Sequence, residues 1–562
     1  MANEPQHCLI MSDFNAANLA GYLSNESPPD TPPLAAACAP FGQVRSLLLG
    51  PVAPGGRERW DLLVVWTTPD GILEGFRRLL EGEDVATETL LEEVDAYADL
   101  VLRARDWAGH ILVPTWALPG FHRGLGLLDW RPGLGLNERL ARLNLRLAER
   151  LSAHPQVFVL DVGRWMLAAG RFASNPKLWH MAKIPYGHEV FQAAAADIHA
   201  ARAGAQGRAR KVLVLDLDDT VWGGIVGDVG WENLKVGGHD PVGEAYAAFQ
   251  RELKALTRRG IVLGVVSKND ESVALTALRQ HPEMVLSETD LAGWRINWND
   301  KAANLAALVG DLNLGLQAVV FIDDNPAERA RIRETFPEVL VPEWPADPLL
   351  YRKALLELRC FDTAAITADD RGRAGMYLTE RQRRELQERV GSLQEWLASL
   401  EMRVTVEPLN PGNLARAAQL LNKVNQMNLS TRRLSETELD AWAAHPENAL
   451  WTLRVADRFG DAGLTGMVGV HQEGDTLHLV DLVLSCRVFG REIEQQMLHL
   501  AVQEARLRGC GTLVAEYRPT AKNRPTLEFL ERSGLDRDDD TLFRWPVSRQ
   551  YPSPSHLLVE ST

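Results

Sequence analysis

The sequence is poor in cysteine and contains no long apolar run. Five cysteines, at positions 8, 38, 360, 486 and 510, are scattered among 562 residues without CxxC spacing. This argues against a disulfide framework and against a structural zinc site. Apolar runs such as residues 211–217 are far shorter than the roughly 20 residues that span a bilayer, so we expect no membrane segment. The first residues (MANEPQHCLIMSDF) lack the pattern of a signal peptide, which favours a cytoplasmic location.

Positive charge is also in deficit. The chain has 60 Lys and Arg residues against 75 Asp and Glu residues, a net charge of −15. This balance opposes binding to nucleic acid or to an anionic membrane, because clustered cations hold both. An acidic carrier protein would be repelled by the average charge as well. Its docking would need a local basic patch, which the sequence does not identify.

The length predicts three or four domains at roughly 100–200 residues each. Short apolar strands alternate with helical stretches through most of the chain, and three buried-type strands end in polar residues, which predicts a multidomain α/β protein with a central Rossmann-like parallel sheet. The segment GAQGRAR, residues 204–210, is typical of a linker. We predict an α/β domain over residues 1–207, a phosphoryl-transfer domain over 208–365, a helical connector over 366–402, a mixed α+β domain over 403–548 and a disordered tail over 549–562.

Two carboxylates follow the first strand of the second domain. The strand KVLVLDL runs into Asp216 and Asp218, which occupy alternate positions on one side of the chain. A carboxylate that attacks phosphorus forms an aspartyl-phosphate that water then hydrolyses, and a second carboxylate can protonate the leaving oxygen and later activate the water. We therefore predict that Asp216 is the nucleophile and Asp218 the general acid and base.

The next strands of this domain add further polar groups. Ser267 ends the strand GIVLGVVS, where its hydroxyl could bond a phosphoryl oxygen, and Lys301 in WNDKAANL could neutralise the transferring group. The strand AVVFIDD delivers Asp323 and Asp324, whose hard oxygens suit Mg²⁺. We predict a Mg²⁺ site formed by Asp216, Asp218, Asp323 and Asp324, with Asp324 the preferred ligand, and substrate contacts from Thr220, Asn269 and Asn325.

Each of these elements alone is a weak signal, because a DxD can be a turn, a serine a turn residue and a lysine a solvated one. Together and in this order they resemble the four motifs of the haloacid-dehalogenase superfamily. A narrower resemblance, to its FkbH-like subgroup, lies in the strings DLDDTVWGGIVGDVGW, SKN, NWNDK and FIDDNPAER. It extends to SDFNAANLAGYL and NPKLWHMAKIPYG near the start and to LLNKVNQMNLSTRR near the end.

Membership of that subgroup implies a glyceryltransferase-phosphatase. Such an enzyme takes the glyceryl group from 1,3-bisphosphoglycerate, discards phosphate and loads the group as a thioester on the phosphopantetheine arm of an acyl carrier protein, for polyketide or related secondary metabolism. The short intervals between the four motifs leave no room for a large cap domain above the site, so an open site could admit a carrier arm. A small-molecule phosphatase without acyl transfer is the first alternative, and an acyltransferase or scaffold with a vestigial phosphatase is the second.

The flanking domains carry resemblances of their own. The first domain resembles an SGNH hydrolase, with Ser12 in the position of a nucleophile, although Asp161, His180 and His188 are only loosely placed as its partners. A recognition or scaffold role is the alternative.

The last domain resembles the GNAT acyltransferase fold, and residues 487–492 match the turn that would cradle a pyrophosphate. Glu492 stands there where the fold usually has a small residue, which weakens the case for coenzyme A. Cys486 lies beside this turn, where Arg487, Arg491 and a helix N-terminus would favour a thiolate. We predict that Cys486 holds the acyl group; a small buried core cysteine is the alternative.

Overall fold

The computed structural model describes residues 5–561 except 26–30, 51, 367–374, 378, 382, 384–385, 388–389 and 521, and it describes no side chain at positions 423 and 486. The chain divides into two compact units, Met1–Ala374 and Gly375–Thr562. None of the described helices combines the length and the apolar character that crossing a bilayer would require.

The first unit begins with a five-stranded parallel sheet. Its strands are β1 Gln6–Ser12, β2 Leu34–Cys38, β3 Trp60–Trp66, β4 Ala108–Pro114 and β5 Val157–Leu160, in the order β2-β1-β3-β4-β5. Its helices are α1 Ala17–Asn25, α2 Val44–Leu49, α3 Pro69–Ile72, α4 Glu74–Leu80, α5 Thr87–Arg103, α6 Leu136–Ser152, α7 Val162–Ala169, α8 Pro176–Ala182 and α9 His188–Ala205. Alternate residues of β1 enter different cores, Leu9 one and Ile10 the other. Burial on both faces explains why the inner strands β1, β3 and β4 are largely apolar.

A second parallel sheet, of four strands, follows in the same unit. Its strands are β6 Val212–Leu215, β7 Val262–Ser267, β8 Leu291–Ile296 and β9 Val319–Ile322, in the order β8-β7-β6-β9. Its helices are α10 Val226–Val229, α11 Pro241–Arg258, α12 Glu271–Gln280, α13 Lys301–Asp311, α14 Pro326–Thr335 and α15 Tyr351–Leu356. Because β7 and β9 flank β6, the residues that follow these three strands meet at one edge of the sheet.

The second unit is built on one mixed sheet. Its strands are β10 Arg403–Pro408, β11 Met427–Asn428, β12 Asn448–Asp457, β13 Gly460–Glu473, β14 Thr476–Leu484, β15 Thr512–Glu516, β16 Asp536–Arg537, β17 Leu542–Pro546 and β18 Leu558–Ser561. Their order is β16-β17-β15-β14-β13-β12-β10-β18, with β11 paired to β14. The described helices are α16 Leu393–Ser399, α17 Leu414–Lys423, α18 Glu436–Ala443, α19 Ile493–Leu507 and α20 Arg524–Arg532. Only β14–β15 and β10–β18 are parallel pairs.

The predicted fold class, a multidomain α/β protein with a central parallel sheet, is confirmed. Two local predictions are wrong. The tail is ordered in the structure, since Tyr551 is buried and β18 pairs in parallel with β10. The segment 204–210 is not a free linker, because Arg210 is buried and donates to Glu338 O over 2.8 Å. Residues 367–374, 378, 382, 384–385 and 388–389 of the predicted connector, 366–402, lie outside the described part of the chain, and the domain boundaries stay predictions.

Candidate active site

Asp216 lies at the centre of the carboxyl edge of the second sheet. It follows β6, its backbone N–H donates to Ile322 O on β9 over 3.0 Å, and it is 7% exposed. Ser267, the last residue of β7, and Asp323, directly after β9, lie on its two sides and are buried as well. The sheet order thus brings together groups that are far apart in the sequence.

Lys301 joins two of these carboxylates. It is the first residue of α13, and the Asp300 side chain caps that helix. The Lys301 Nζ lies 3.1 Å from Asp216 Oδ1 and 2.6 Å from Asp323 Oδ2. Burial alone would lower the pKa of Lys301, but Asp216 and Asp323 outweigh it and raise the pKa, so the ammonium group stays charged.

Three carboxylates form a group that suits a divalent cation. One oxygen each from Asp216, Asp323 and Asp324 lies within 4.8 Å of the others. Burial, and then the charge of Asp216, raise the pKa of both Asp323 and Asp324. The buried Asp216 Oδ1 accepts no well-aligned hydrogen bond from the described residues, although Lys301 is within ion-pair distance. These oxygen donors fit Mg²⁺, which binds oxygen ligands.

The Asp218 carboxylate is not part of this group of three, and the role of Asp218 as a fourth metal ligand stays a prediction. Trp222 Nε1 and the Val226 backbone N–H donate to Asp218 Oδ1 over 2.8 and 3.1 Å. Asn269 Nδ2 donates to Asp218 Oδ2 over 2.8 Å. Burial raises the pKa of Asp218 against the opposing hydrogen bond from Trp222, and a raised pKa suits a group that donates a proton.

The three residues predicted to contact substrate hold other protein groups instead. Thr220 is fully buried, and its hydroxyl donates to Asp324 Oδ1 over 3.2 Å and accepts from the Asp324 N–H over 3.0 Å. Asn269 orients Asp218, as described above. Asn325 caps α14, where its side chain accepts from the Ala327 N–H over 2.9 Å. The full burial of Thr220 leaves it no surface for a substrate contact, whereas substrate contacts by Asn269 and Asn325 stay predictions.

Several residues that shape the site are not among the predicted ones. Arg329 is buried, and its Nη1 donates to Asp323 O and Asp324 O, each over 2.7 Å, which fixes the loop that carries both carboxylates. Its position in the string FIDDNPAER, on the first turns of α14, is a signal that could have been used. The hydroxyls of Tyr246 and Tyr351 both donate to Asp219 O, over 3.1 and 3.0 Å, and hold Asp219 at a φ of +52°.

The chain is similar to a solved phosphatase domain. That structure is the N-terminal part of the protein BF1531 from Bacteroides fragilis, which contains a phosphatase domain and is complexed with Mg. The identity is 29%, the match covers 65% of this chain and 95% of that chain, and the TM-score is 0.58. No protein-family model matches the chain, and no curated protein matches it.

Acetyltransferase structures also align, with the last part of the chain. The ribosomal-protein-S18-alanine N-acetyltransferase from Escherichia coli is 14% identical and covers 26% of this chain and 95% of its own, with a TM-score of 0.21. A putative GNAT-family acetyltransferase from Desulfovibrio desulfuricans is 16% identical over 26% of this chain and 99% of its own, also with a TM-score of 0.21. At these TM-scores neither alignment carries an argument about this chain.

Ser12 in the first domain lacks the partners of a serine nucleophile. It is buried, and its Oγ donates to Phe14 O over 2.6 Å. Asp161, His180 and His188 are exposed, and none of them is joined to Ser12 by a hydrogen bond among the described residues. The neighbouring Asp13 accepts from Thr68 Oγ1 over 2.7 Å. The described geometry thus provides no base for Ser12.

Charged side chains of the chain itself pair with one another at the turn before α19. Arg491 is buried, with its Nη2 2.7 Å from Glu380 Oε2 and its Nη1 3.5 Å from Asp457 Oδ2. The buried Glu494 accepts from the Gly490 N–H over 3.3 Å, a backbone amide of the predicted pyrophosphate cradle. Arg491 is therefore paired with carboxylates of the chain, and its effect on a Cys486 thiolate stays a prediction. Cys486 begins the short helix Cys486–Val488, but its side chain lies outside the described part of the structure.

Strands β14 and β15 separate beyond their paired residues, and another segment of the chain lies between them. Strands β14 and β15 pair only through residues 476–479 and 512–515. Beyond that point Leu429 lies between them: its N–H donates to Leu482 O over 3.2 Å, and its carbonyl accepts from the Arg518 N–H over 3.1 Å. Asn523 Nδ2 donates to Asn428 O over 3.1 Å and holds the same segment in place. A carrier arm would have to displace this segment to enter between the two strands.

Proposed function

We propose that the second sheet carries a Mg²⁺-dependent phosphoryl-transfer site in which Asp216 is the nucleophile. The single observation that supports this most strongly is the juxtaposition of Asp216, Lys301, Asp323 and Asp324 at one sheet edge. A buried cation and three clustered carboxylates are costly to fold unless they bind a charged ligand. The Mg²⁺ bound by the similar phosphatase domain of BF1531 supports the choice of metal.

The chemistry of the chain's own residues follows from their placement. An Asp216 oxygen attacks phosphorus, the bond from phosphorus to the leaving oxygen breaks, and Asp218 supplies the proton that this oxygen needs. Water then attacks the aspartyl-phosphate while Asp218 takes up the proton, and the bond from phosphorus to Asp216 breaks. Lys301 orients Asp216 for the first attack.

Asp216 and Asp324 would hold the Mg²⁺, with Asp323 tied more closely to Lys301. Bound there, Mg²⁺ offsets negative charge on the phosphoryl group and the carboxylates. Thr220 and Arg329 hold the Asp324 side chain and backbone in place for this role.

The finer proposal is that the substrate is 1,3-bisphosphoglycerate and that the glyceryl group is loaded on an acyl carrier protein. It rests on the resemblance to the FkbH-like subgroup. The donor has an acyl phosphate at one end and a phosphate monoester at the other. A thiolate suits the activated carbonyl, and the Asp216 site suits the monoester. We propose Cys486 as the thiol that takes up the glyceryl group. Direct transfer of the glyceryl group from the donor to the carrier arm is the alternative route.

Intact-mass analysis tests both levels of the proposal. The protein is incubated with Mg²⁺, 1,3-bisphosphoglycerate and a purified holo carrier protein, and phosphate release is measured in parallel. We expect phosphate release and a glyceryl mass increment on the carrier. A glyceryl adduct on the enzyme that is sensitive to hydroxylamine and lost in Cys486→Ala would support the thiol route.

Three other outcomes separate the alternatives. Phosphate release without any glyceryl increment would favour the small-molecule phosphatase and refute the finer proposal. Normal carrier loading by Cys486→Ala would refute the thiol route and leave direct transfer. Absence of phosphate release from either end of the donor, and from other small phosphate esters, would refute the phosphoryl-transfer site itself.

A further inference from the structure

The N-terminal domain has an open apolar pocket at the carboxyl edge of its sheet. The pocket has a volume of about 470 Å³ and lies between α6 and α7, beyond the ends of β4 and β5. Its lining is mainly apolar and includes Trp116, Trp130, Leu140, Met166 and Leu167. The two asparagines of the lining, Asn137 and Asn144, are already hydrogen-bonded to Asp129 and to the Trp116 backbone. The pocket therefore offers apolar contact rather than polar recognition.

Large apolar side chains surround this pocket and face solvent. Trp130 and Leu167 are 68% and 84% exposed although both line the pocket. Phe121 and Phe172 are exposed too, and each is a chain neighbour of a lining residue. A contiguous apolar surface of this kind on a folded domain typically marks a protein interaction site.

The rim of the pocket is basic, which is unusual for a chain with a net charge of −15. Arg131 follows the lining residue Trp130, and Arg171 follows the lining residue Gly170. Both arginines are exposed, and among the described side chains neither forms an ion pair. The Arg171 guanidinium lies over the Phe172 ring, 4.7 Å from its centroid. The acidic residues nearest to the lining along the chain are Asp129 and Glu138, which are buried, and Asp161, which is exposed and lies two positions before Gly163.

We propose that this pocket and its basic rim are the docking surface for an acidic, helical carrier protein. The partner's chemistry follows from the surface: an amphipathic helix places apolar side chains in an apolar groove, and its acidic residues are attracted by cations that form no ion pair with the described side chains. Leu167 and Trp130 contact the apolar face of the helix, and Arg131 and Arg171 pair with its carboxylates. The inference rests on the proposed carrier-loading function and gives the first domain, which lacks a base for Ser12, a role in recognition.

Fluorescence anisotropy tests this surface directly. The probes are three labelled holo carrier proteins, one each of the fatty-acid, polyketide and peptide-synthetase types, titrated with the full chain at 50 and 300 mM NaCl. We expect at least one carrier to bind and its affinity to fall with salt. Leu167→Glu and Arg171→Glu should each weaken binding at least tenfold.

Two matched variants serve as controls. Leu507→Glu changes a leucine that is 82% exposed on α19, and Arg251→Glu changes an exposed arginine on α11. Both should bind the carrier within twofold of the wild type. Circular dichroism confirms that all four variants are folded, as expected for exposed positions.

Three results would overturn the proposal. The first is that none of the carriers binds the wild-type chain. The second is that Leu167→Glu and Arg171→Glu bind like the controls. The third is that these two variants change the molar mass of the chain in light scattering but leave carrier affinity unchanged, which would make the surface an interface between copies. Phosphate release by the wild-type chain is measured separately, so its absence would refute the proposed function without affecting the binding result.

Discussion

Among the described residues, Lys301 is the cation placed between Asp216 and Asp323, and its removal gives the sharpest test of the site. At an effective dielectric constant of about 20, charges separated by 3.1 and 2.6 Å attract by roughly 5–6 kcal/mol each. Desolvation offsets much of this attraction. Breaking a buried ion pair by removing one partner costs about 3–5 kcal/mol, because the remaining charge is buried and uncompensated. We expect Lys301→Met to lose about that much unfolding free energy at pH 8 without metal.

The loss should depend on pH and on Mg²⁺. Burial and the charge of Asp216 already raise the pKa of Asp323, and removal of Lys301 raises it further, so at pH 6 Asp323 takes up a proton and the penalty shrinks. Saturating Mg²⁺ should also reduce the loss of unfolding free energy caused by Lys301→Met. The assay is urea unfolding of both proteins at pH 6 and 8, with EDTA or with Mg²⁺. Lys268→Met is the control, because its half-exposed pair with Glu328 should contribute less than about 1 kcal/mol. Equal losses for both variants would refute the reasoning.

Three further predictions can be checked on the same protein. Asp216→Asn should abolish phosphate release with unchanged circular dichroism, because the near-isosteric amide is not nucleophilic; near-normal turnover would contradict its role. Chelation of Mg²⁺ should suppress phosphate release, because Asp216 and Asp324 would otherwise repel an anionic substrate; activity indifferent to EDTA would require another role for both. Burial raises the pKa of Asp13 in the folded state to about 6, above the ordinary value of 3.8. The wild type should therefore lose up to about 3 kcal/mol of unfolding free energy as the pH rises from 4 to 6. Asp13→Asn should remove this dependence on pH. A difference between wild type and Asp13→Asn that is constant across this window in urea unfolding would contradict that account.

The strands of both parallel sheets could be predicted mainly where they are fully buried. β6, β7 and β9 are uninterrupted apolar runs because helices cover both faces, and each was predicted close to its observed bounds. β8, with the sequence LAGWRI, was missed because only part of it is buried. β18 was missed because its four residues, LVES, become a strand only by pairing with β10. Pairing of this kind depends on tertiary structure and leaves little trace in the local sequence.

In the candidate site, the main charged residues could be predicted from the sequence, but the contacts between side chains could not. Asp216, Ser267, Lys301, Asp323 and Asp324 were predicted because each follows a strand or begins a helix, and parallel topology brings such positions together. The partners of Asp218 were not predicted. Trp222 and Asn269 are separated from it by 4 and 51 positions, and their hydrogen bonds depend on the path of the loop before α10. Side-chain types alone could not separate a substrate ligand from a residue that orients another residue.

The pairing of β18 with β10 covers one edge of the large sheet. Without β18, the backbone of β10 would form an open edge of the large sheet, with Val404 and Val406 alternating along it. Open edges of this kind pair readily with other chains, whereas a short strand with an exposed glutamate, such as Glu560, is a poor template. By covering this edge, β18 protects the sheet against aggregation. Deleting β18 would therefore endanger solubility.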